Sequence, residues 1–427
     1  MTVTAIVGAN WGDEGKGKMT DVLSAQSDYV VRYQGGSNAG HTIINEYGKF
    51  ALQALPSGVF HAGVINVIGP GVALDVETLF RELNSLETRG VPAPKLCISD
   101  RVQVVLPYHQ LFDQLEEERL GSRSFGSTRR GIAPFYADKY AKLGIRTSDL
   151  TNEDRLRARL TQALESKNVL LQHLYGHAPL DVEPLIPQLM DWGVRLQPYL
   201  RDTTAVLQQA QSDGKRILLE SQLGALRDPD HGIYPYSTSS STLAGFAPVG
   251  AGLPPYAVTG ILAVTKAYSS CVGAGPFVME LEGTEADELR RRGGDAGEFG
   301  AVTGRPRRVG WFDAVATRYG CSIQGATGVA LTNLDVLGYL DQIPVCTAYE
   351  LADGTVTEAF PVGAQLDEAK PRLSFLDGWR SDLSEARTYD ELPAAAQRYV
   401  EFIESAIGVH VAYISVGPRR DQIIVRA

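Results

Sequence analysis

The stretch Gly8-Ala9-Asn10-Trp11-Gly12-Asp13-Glu14-Gly15-Lys16-Gly17-Lys18 puts glycines, two carboxylates and two lysines close together. Glycines let backbone N–H groups approach phosphate oxygens, and a helix starting just beyond adds the positive end of its dipole. Lys16 and Lys18 supply positive charge. The spacing is not that of a Walker A loop, because Met19 follows Lys18 where that loop needs Ser or Thr. Asp13 and Glu14 repel phosphate, so one of them must hold Mg²⁺ or take a proton from a substrate. A second stretch, Gln34-Gly35-Gly36-Ser37-Asn38-Ala39-Gly40-His41-Thr42, sets His41 in a glycine-rich loop. A histidine there can be a general acid or a phosphate ligand, although alone it reads as structural. The run Arg305-Pro306-Arg307-Arg308 is basic, and taken alone it reads as a solvated surface.

These loops need a frame that brings them to one edge. Thr2–Val7, Tyr29–Tyr33 and Val64–Ile68 are short apolar runs, each stopped by glycines, and read as buried strands. Helices are expected from near Met19 and over Asp75–Thr88. Strands alternating with helices imply an α/β fold: a mostly parallel central sheet with helices on both faces and ligands beyond the strands' carboxyl ends. Residues 150–215 read as a helical excursion. Residues 221–310 are dense in turn formers, and long ordered loops of this kind usually carry function. Arg216–Leu219 and Gly328–Thr332 are further strands. Pro344–Leu351 and Thr355–Phe360 flank Asp353-Gly354, a hairpin signal, so a small antiparallel piece is expected over 340–362. Leu392–Ile407 is a helix, and Val411–Val416 and Gln422–Val425 are closing strands. No repeat or linker divides the chain, so residues 1–427 are expected to form a single domain with excursions.

Composition narrows the function. The 427 residues are 44% hydrophobic and 21% charged, which excludes wholesale disorder. A formal charge of -10 argues against a surface that binds nucleic acid, while leaving room for a local phosphate pocket. Cys97, Cys271, Cys321 and Cys346 lie far apart, without a C-x-x-C pair, and read as reduced thiols rather than a disulfide frame or zinc site. No apolar run is long enough to span a bilayer, and the N-terminus looks like a strand, not a signal peptide. A cytoplasmic protein is expected, bound to neither nucleic acid nor membrane.

Trp11–Lys18 followed by Tyr33–Thr42 strongly resembles adenylosuccinate synthetase, and the resemblance runs along nearly the whole chain. It includes Arg130-Gly131-Ile132, Asp230–Tyr236 with Thr238-Ser239-Ser240, Lys266-Ala267-Tyr268 and Val272–Phe277. It continues through Glu298-Phe299-Gly300, Thr303–Arg308, Thr332–Asp335 and Ser415–Pro418. The resemblance implies a P-loop-NTPase-like α/β fold and a ligase that joins L-aspartate to C6 of a 6-oxopurine nucleoside monophosphate. Phosphorylation of the 6-oxygen by a purine nucleoside triphosphate precedes displacement of that phosphate by the aspartate amine. It makes Asp13 the general base at N1 and a Mg²⁺ ligand, His41 the acid at the transferring phosphoryl group, and the Gly40 carbonyl a second Mg²⁺ ligand.

By the same resemblance the acceptor nucleotide meets Asp13, Asn38, Thr128, Leu223, Thr238, Val272 and Arg305. Lys142 stands where the family reaches across a homodimer with an arginine. Aspartate meets Val302, Thr303, Arg305 and Arg307. The triphosphate meets Gly12, Gly15, Lys16, Gly17, Lys18, His41, Thr42 and Arg307. Asn333, Asp335, Ser415 and Gly417 lie at its base, with Asp335 reading guanine. The implied cofactor is Mg²⁺, with GTP, or ATP or dATP, as phosphoryl donor.

The chain also departs from the family pattern. Leu223 replaces a glutamine that would touch the purine 6-oxygen, unless Gln222 moves into its place. Arg129, Ala133, Phe135, Val302, Asn333 and Cys271 differ as well; the family has lysine at 333 and arginine at 271. Retained catalytic groups beside a changed base wall suggest a shifted substrate. The expectation is therefore the bacteriophage branch that accepts dGMP and makes the precursor of a 2-aminoadenine nucleotide, with the host cytoplasm as its location. IMP is the alternative acceptor.

Overall fold

The structure is a computed structural model that describes residues 2–426 apart from 295 and 301–303. Val302 and Thr303, expected at the aspartate site, therefore lie outside the described residues.

Ten strands form the central sheet: β1 (Val3–Gly8), β2 (Tyr29–Arg32), β3 (Ile65–Ile68), β4 (Lys95–Ser99), β5 (Leu200–Arg201), β6 (Ile217–Glu220), β7 (Gly260–Lys266), β8 (Gly328–Thr332), β9 (Val411–Ser415) and β10 (Ile423–Val425). Their order across the sheet is β10-β9-β8-β7-β1-β6-β2-β3-β4-β5. Every pairing is parallel except β9 with β10 at one edge. A parallel sheet has helices on both faces, so its strands are apolar on both. On β1, Val3, Ala5 and Val7 join a core shared with the helices Ala314–Gln324 and Ala394–Ile407. Ile6 points the other way, into a core shared with Met19 of the helix Lys16–Ser24.

Three expectations need correction. The first helix begins at Lys16 rather than near Met19, with Gly15 as its N-cap, so both lysines belong to its first turn. Residues 150–215 do hold the helices Glu153–His173, Leu185–Leu196 and Thr203–Ser212, but β5 lies among them and closes the sheet's far edge. The antiparallel piece reaches beyond 362. Gln342–Glu350 pairs along its length with Lys370–Asp377, whereas only Val356–Thr357 pairs across the Asp353-Gly354 turn. The longer ladder satisfies more backbone groups than the local hairpin does.

Among the elements outside those expectations, a hairpin bears on the site. His41–Asn45 and Gly48–Leu52 form a two-stranded hairpin, with His41 opposite Leu52. Ile43 of the first strand and Phe50 and Leu52 of the second are buried.

Candidate active site

The site lies where the loops after β1, β2 and β6 meet, beyond the carboxyl ends of neighbouring strands. A cleft of about 320 Å³ opens there, lined by Asp13, Gly15, Lys16, Gly17 and Lys18 from the first loop and helix. Gly40, His41 and Thr42 line it from the second loop and hairpin, with Leu223, Arg307, Asn333 and Gly417 from later loops.

The two adjacent carboxylates of the first loop take different roles. Glu14 is buried and accepts from the N–H groups of Asn10 (3.1 Å) and Gly12 (2.8 Å) and from Lys16 Nζ (2.5 Å). It shapes the loop and holds Lys16 at the cleft wall. Asp13, in a left-handed conformation at φ 60°, reaches the cleft, where its Oδ2 accepts from Arg307 Nε at 2.9 Å.

Arg307 in turn donates to Glu298 at 2.7 Å. Glu298 is buried and also accepts from Lys266 Nζ at 2.6 Å and from the Tyr268 hydroxyl. Burial pushes the Glu298 carboxyl up, but Lys266 and Arg307 outweigh it and hold the group at about 2. Glu298, Lys266 and Tyr268 fall within the matched motifs, yet sequence reasoning gives them no place in the site. Their signal lies in the tertiary structure, because only the fold gathers them behind Asp13.

His41 is fixed from behind. Its Nδ1 lies 2.5 Å from Glu220 Oε1, and Glu220 also accepts from Ser57 N–H (2.8 Å) and Ser57 Oγ (2.5 Å). Burial pushes Glu220 up, yet His41, Arg32 and Ser57 together hold it below the usual carboxylate range. Burial holds His41 below its ordinary value, with Glu220 opposing. Burial favours the neutral His41 ring, and Glu220 opposite Nδ1 favours the tautomer that carries its proton there. Nε2 is buried without a hydrogen-bond partner. A buried, unpaired ring nitrogen at a cleft wall is suited to proton transfer with a ligand. Gly17 permits this packing, since a Cβ there would lie 2.5 Å from His41 Cβ.

Gln222 does not take the missing glutamine's place. Its side chain is buried and its Oε1 accepts from Gly36 N–H at 2.9 Å, while Nε2 donates to the carbonyls of Gly36 (2.8 Å), Ala39 (3.2 Å) and Gln53 (3.3 Å). It moulds the loop carrying Asn38 and Gly40, and Leu223, at φ 60°, faces the cleft instead. Gly35→Ala tests this brace, because position 35 has φ +79° and a new Cβ would lie 2.1 Å from Gln222 Oε1. A left-handed alanine plus a steric clash should cost at least about 2 kcal/mol, read as a lower melting temperature. An unchanged melting temperature would mean that Gln222 is not seated there.

Lys18 lines the cleft but donates to Ser415 Oγ (2.8 Å) and to the carbonyls of Gly417 (2.6 Å) and Gln422 (3.1 Å). Burial brings its amine down to about 7, against the pull of Asp335. Lys18 therefore braces the loop that carries Ser415 and Gly417. Asp335 Oδ1 is buried without a partner, and burial raises this carboxyl to about 6. A purine with ring N–H and amino donors would satisfy it. Asn333 donates to the Tyr268 hydroxyl at 3.1 Å.

Asn38 Oδ1 is likewise buried without a partner, in the second loop. The Thr238 N–H donates to the Arg227 carbonyl at 2.8 Å, and the Val272 carbonyl accepts from the Arg227 side chain. Thr128 lies in a loop that Asp113 and Glu117 hold through Ser127 and Gly131. Arg305 and Lys142 are exposed, Lys142 just after the helix Ile132–Tyr140.

For Mg²⁺, the described residues contain no group of three or more His, Cys, Asp or Glu that could enclose a metal. The chain offers the Asp13 carboxylate and the Gly40 carbonyl. That donor set fits Mg²⁺, which binds through one or two carboxylates and takes its other ligands from phosphates and water.

Comparison with known proteins matches this geometry. A family model described as adenylosuccinate synthetase matches residues 5–424. Adenylosuccinate synthetase from Dehalococcoides mccartyi is 47% identical over 427 residues, covering 100% of both chains. The enzyme of that name from Acidothermus cellulolyticus is 46% identical over 99% of each. The structure of fully ligated adenylosuccinate synthetase from Plasmodium falciparum superposes with a TM-score of 0.93 at 33% identity, covering 100% of both chains. The cyanophage S-2L succinoaminodeoxyadenylate synthetase bound to dGMP and dATP gives a TM-score of 0.60 at 20% identity, over 99% of this chain and 95% of that one. That likeness extends to the fold alone. The expected phage branch is thereby corrected: the full-length relatives carry the name adenylosuccinate synthetase, and the likeness to the phage enzyme is limited to the fold. The chain belongs to the adenylosuccinate synthetase family, ligases that form a carbon–nitrogen bond.

Proposed function

We propose that the protein joins L-aspartate to C6 of IMP, with cleavage of GTP to GDP and phosphate, giving adenylosuccinate. One observation carries this reading: Asp13 and the unpartnered His41 Nε2, from two strand-end loops, face one cleft in a chain 47% identical, end to end, to an adenylosuccinate synthetase. Asp13 takes the proton from purine N1, and the 6-oxygen then attacks the γ-phosphoryl group. His41, carrying a proton on Nε2 once anionic phosphate is beside it, stabilises the charge on the transferring group. Lys16 neutralises phosphate charge, and Mg²⁺, held by Asp13 and the Gly40 carbonyl, supplies further charge neutralisation. The aspartate amine displaces phosphate from C6, with Arg305 and Arg307 on the aspartate carboxylates. Asp335 takes the guanine donors of GTP. The chain works as one domain in the cytoplasm, apart from membranes and nucleic acid; among the described residues no helix is long and apolar enough to cross a membrane.

Aspartate-dependent phosphate release should be followed with IMP, GMP and dGMP, each with GTP, ATP and dATP. The highest kcat/KM is expected for IMP with GTP. A higher value for dGMP under identical conditions would reject this reading.

The active form is a homodimer in which Lys142 completes the partner's acceptor site, which suits its exposed position here. Mixing inactive Lys142→Ala and Asp13→Ala subunits should restore activity, because one hybrid site is then intact. Absence of recovery despite verified subunit exchange would count against the shared site.

A further inference from the structure

Arg227 is only 7% exposed, yet its hydrogen-bond partners are neutral. It ends the turn Ala225–Arg227, just beyond Leu223. Nη1 donates to the Tyr236 carbonyl and, at 3.3 Å, to the Ala274 carbonyl. Nη2 donates to the Val272 carbonyl and lies 2.9 Å from Cys271 Sγ. Its own backbone adds two ties: its N–H donates to the Gly224 carbonyl at 2.9 Å, and its carbonyl accepts from Thr238 N–H at 2.8 Å. One residue therefore joins three segments: the end of the Leu223 loop, Tyr236–Thr238 and Cys271–Ala274.

A guanidinium has five donors in a rigid fork and no acceptor, which suits it to gathering carbonyls from separate segments. Removing it leaves those carbonyls without their donors and frees the segments to move apart. Arg308 also holds the third segment, donating to the carbonyls of Gly275 (2.8 Å) and Gly273 (3.3 Å), but it pairs with Glu280 as well.

We propose that Arg227 is the positioning residue for the acceptor-nucleotide wall, setting Leu223, Thr238 and Val272 relative to one another. It touches no reacting atom. The proposal rests on the functional reading that these three residues meet the acceptor. Its expected signature is a loss of acceptor affinity, with the triphosphate side of the cleft left intact.

The test compares Arg227→Leu, Arg227→Lys and the double variant Arg227→Leu/Cys271→Arg with the wild type. KM values for acceptor, aspartate and GTP are measured separately, together with kcat and the melting temperature. The acceptor is whichever purine monophosphate the wild type uses best, so failure of the IMP reading shows in the wild type and failure of this proposal only in the variants. Losing charged hydrogen bonds in Arg227→Leu should raise the acceptor KM roughly 10- to 100-fold and leave the GTP KM unchanged. The double variant should recover most of that loss, because position 271 lies against the guanidinium and a new arginine there reaches the same carbonyls. An unchanged acceptor KM in folded Arg227→Leu, or all three KM values rising together, would overturn the proposal. So would a double variant no better than Arg227→Leu. If Arg227→Leu does not fold, Arg227→Lys takes the same reading: it keeps the cation and loses the fork, and an unchanged acceptor KM in it overturns the proposal.

Discussion

Asp13→Ala should fold, bind nucleotide more weakly and turn over at least roughly 10²–10⁴-fold more slowly with any acceptor. The lower end is the usual loss for a positioned general base, and the metal-holding role adds to it. Arg307 retains Glu298 as a partner at 2.7 Å, so the loop behind Asp13 has a reason to stay in place. Asp13→Asn sharpens the test: the amide oxygen can still accept from Arg307 Nε, but the group can neither take a proton at neutral pH nor contribute charge. Both variants should be nearly inactive in aspartate-dependent phosphate release, with melting temperatures close to wild type. Near-normal turnover in either one would remove Asp13 as the base.

His41→Asn should lower kcat by roughly 10²–10⁴-fold, with GTP binding changed much less. Asparagine can still offer an N–H to Glu220 but has nothing in place of Nε2, so it separates the buried pair from the proton carried into the cleft. Glu220→Gln probes the same dyad from behind. It removes the anion that keeps the His41 proton on Nδ1, and kcat should fall while the KM for GTP holds. Single-turnover phosphate release reads both variants, and a His41→Asn enzyme within a few-fold of wild type would refute the acid role.

The frame and the family are legible in the residues alone. β1, β2 and β3 are mostly apolar runs followed by glycines, as expected of parallel strands covered on both faces. The Gly8–Lys18 loop points to phosphate chemistry through its glycines and lysines, whereas the Gln34–Thr42 loop does so only through its resemblance to the family. Adjacent acids in one loop, however, look alike in sequence. The fold alone turns Glu14 inward to the N–H groups of Asn10 and Gly12 while Asp13 reaches the cleft. Gln222 likewise stands next to the vacant glutamine position, and the fold commits its amide to Gly36, Ala39 and Gln53. Glu220 as the partner of His41, and Glu298 with Lys266 behind Arg307, join residues 179, 32 and 9 positions apart. Local pattern records which face of an element is buried. It does not record which distant buried charge will neutralise which, because that depends on strand order and loop path, which the packed sheet sets.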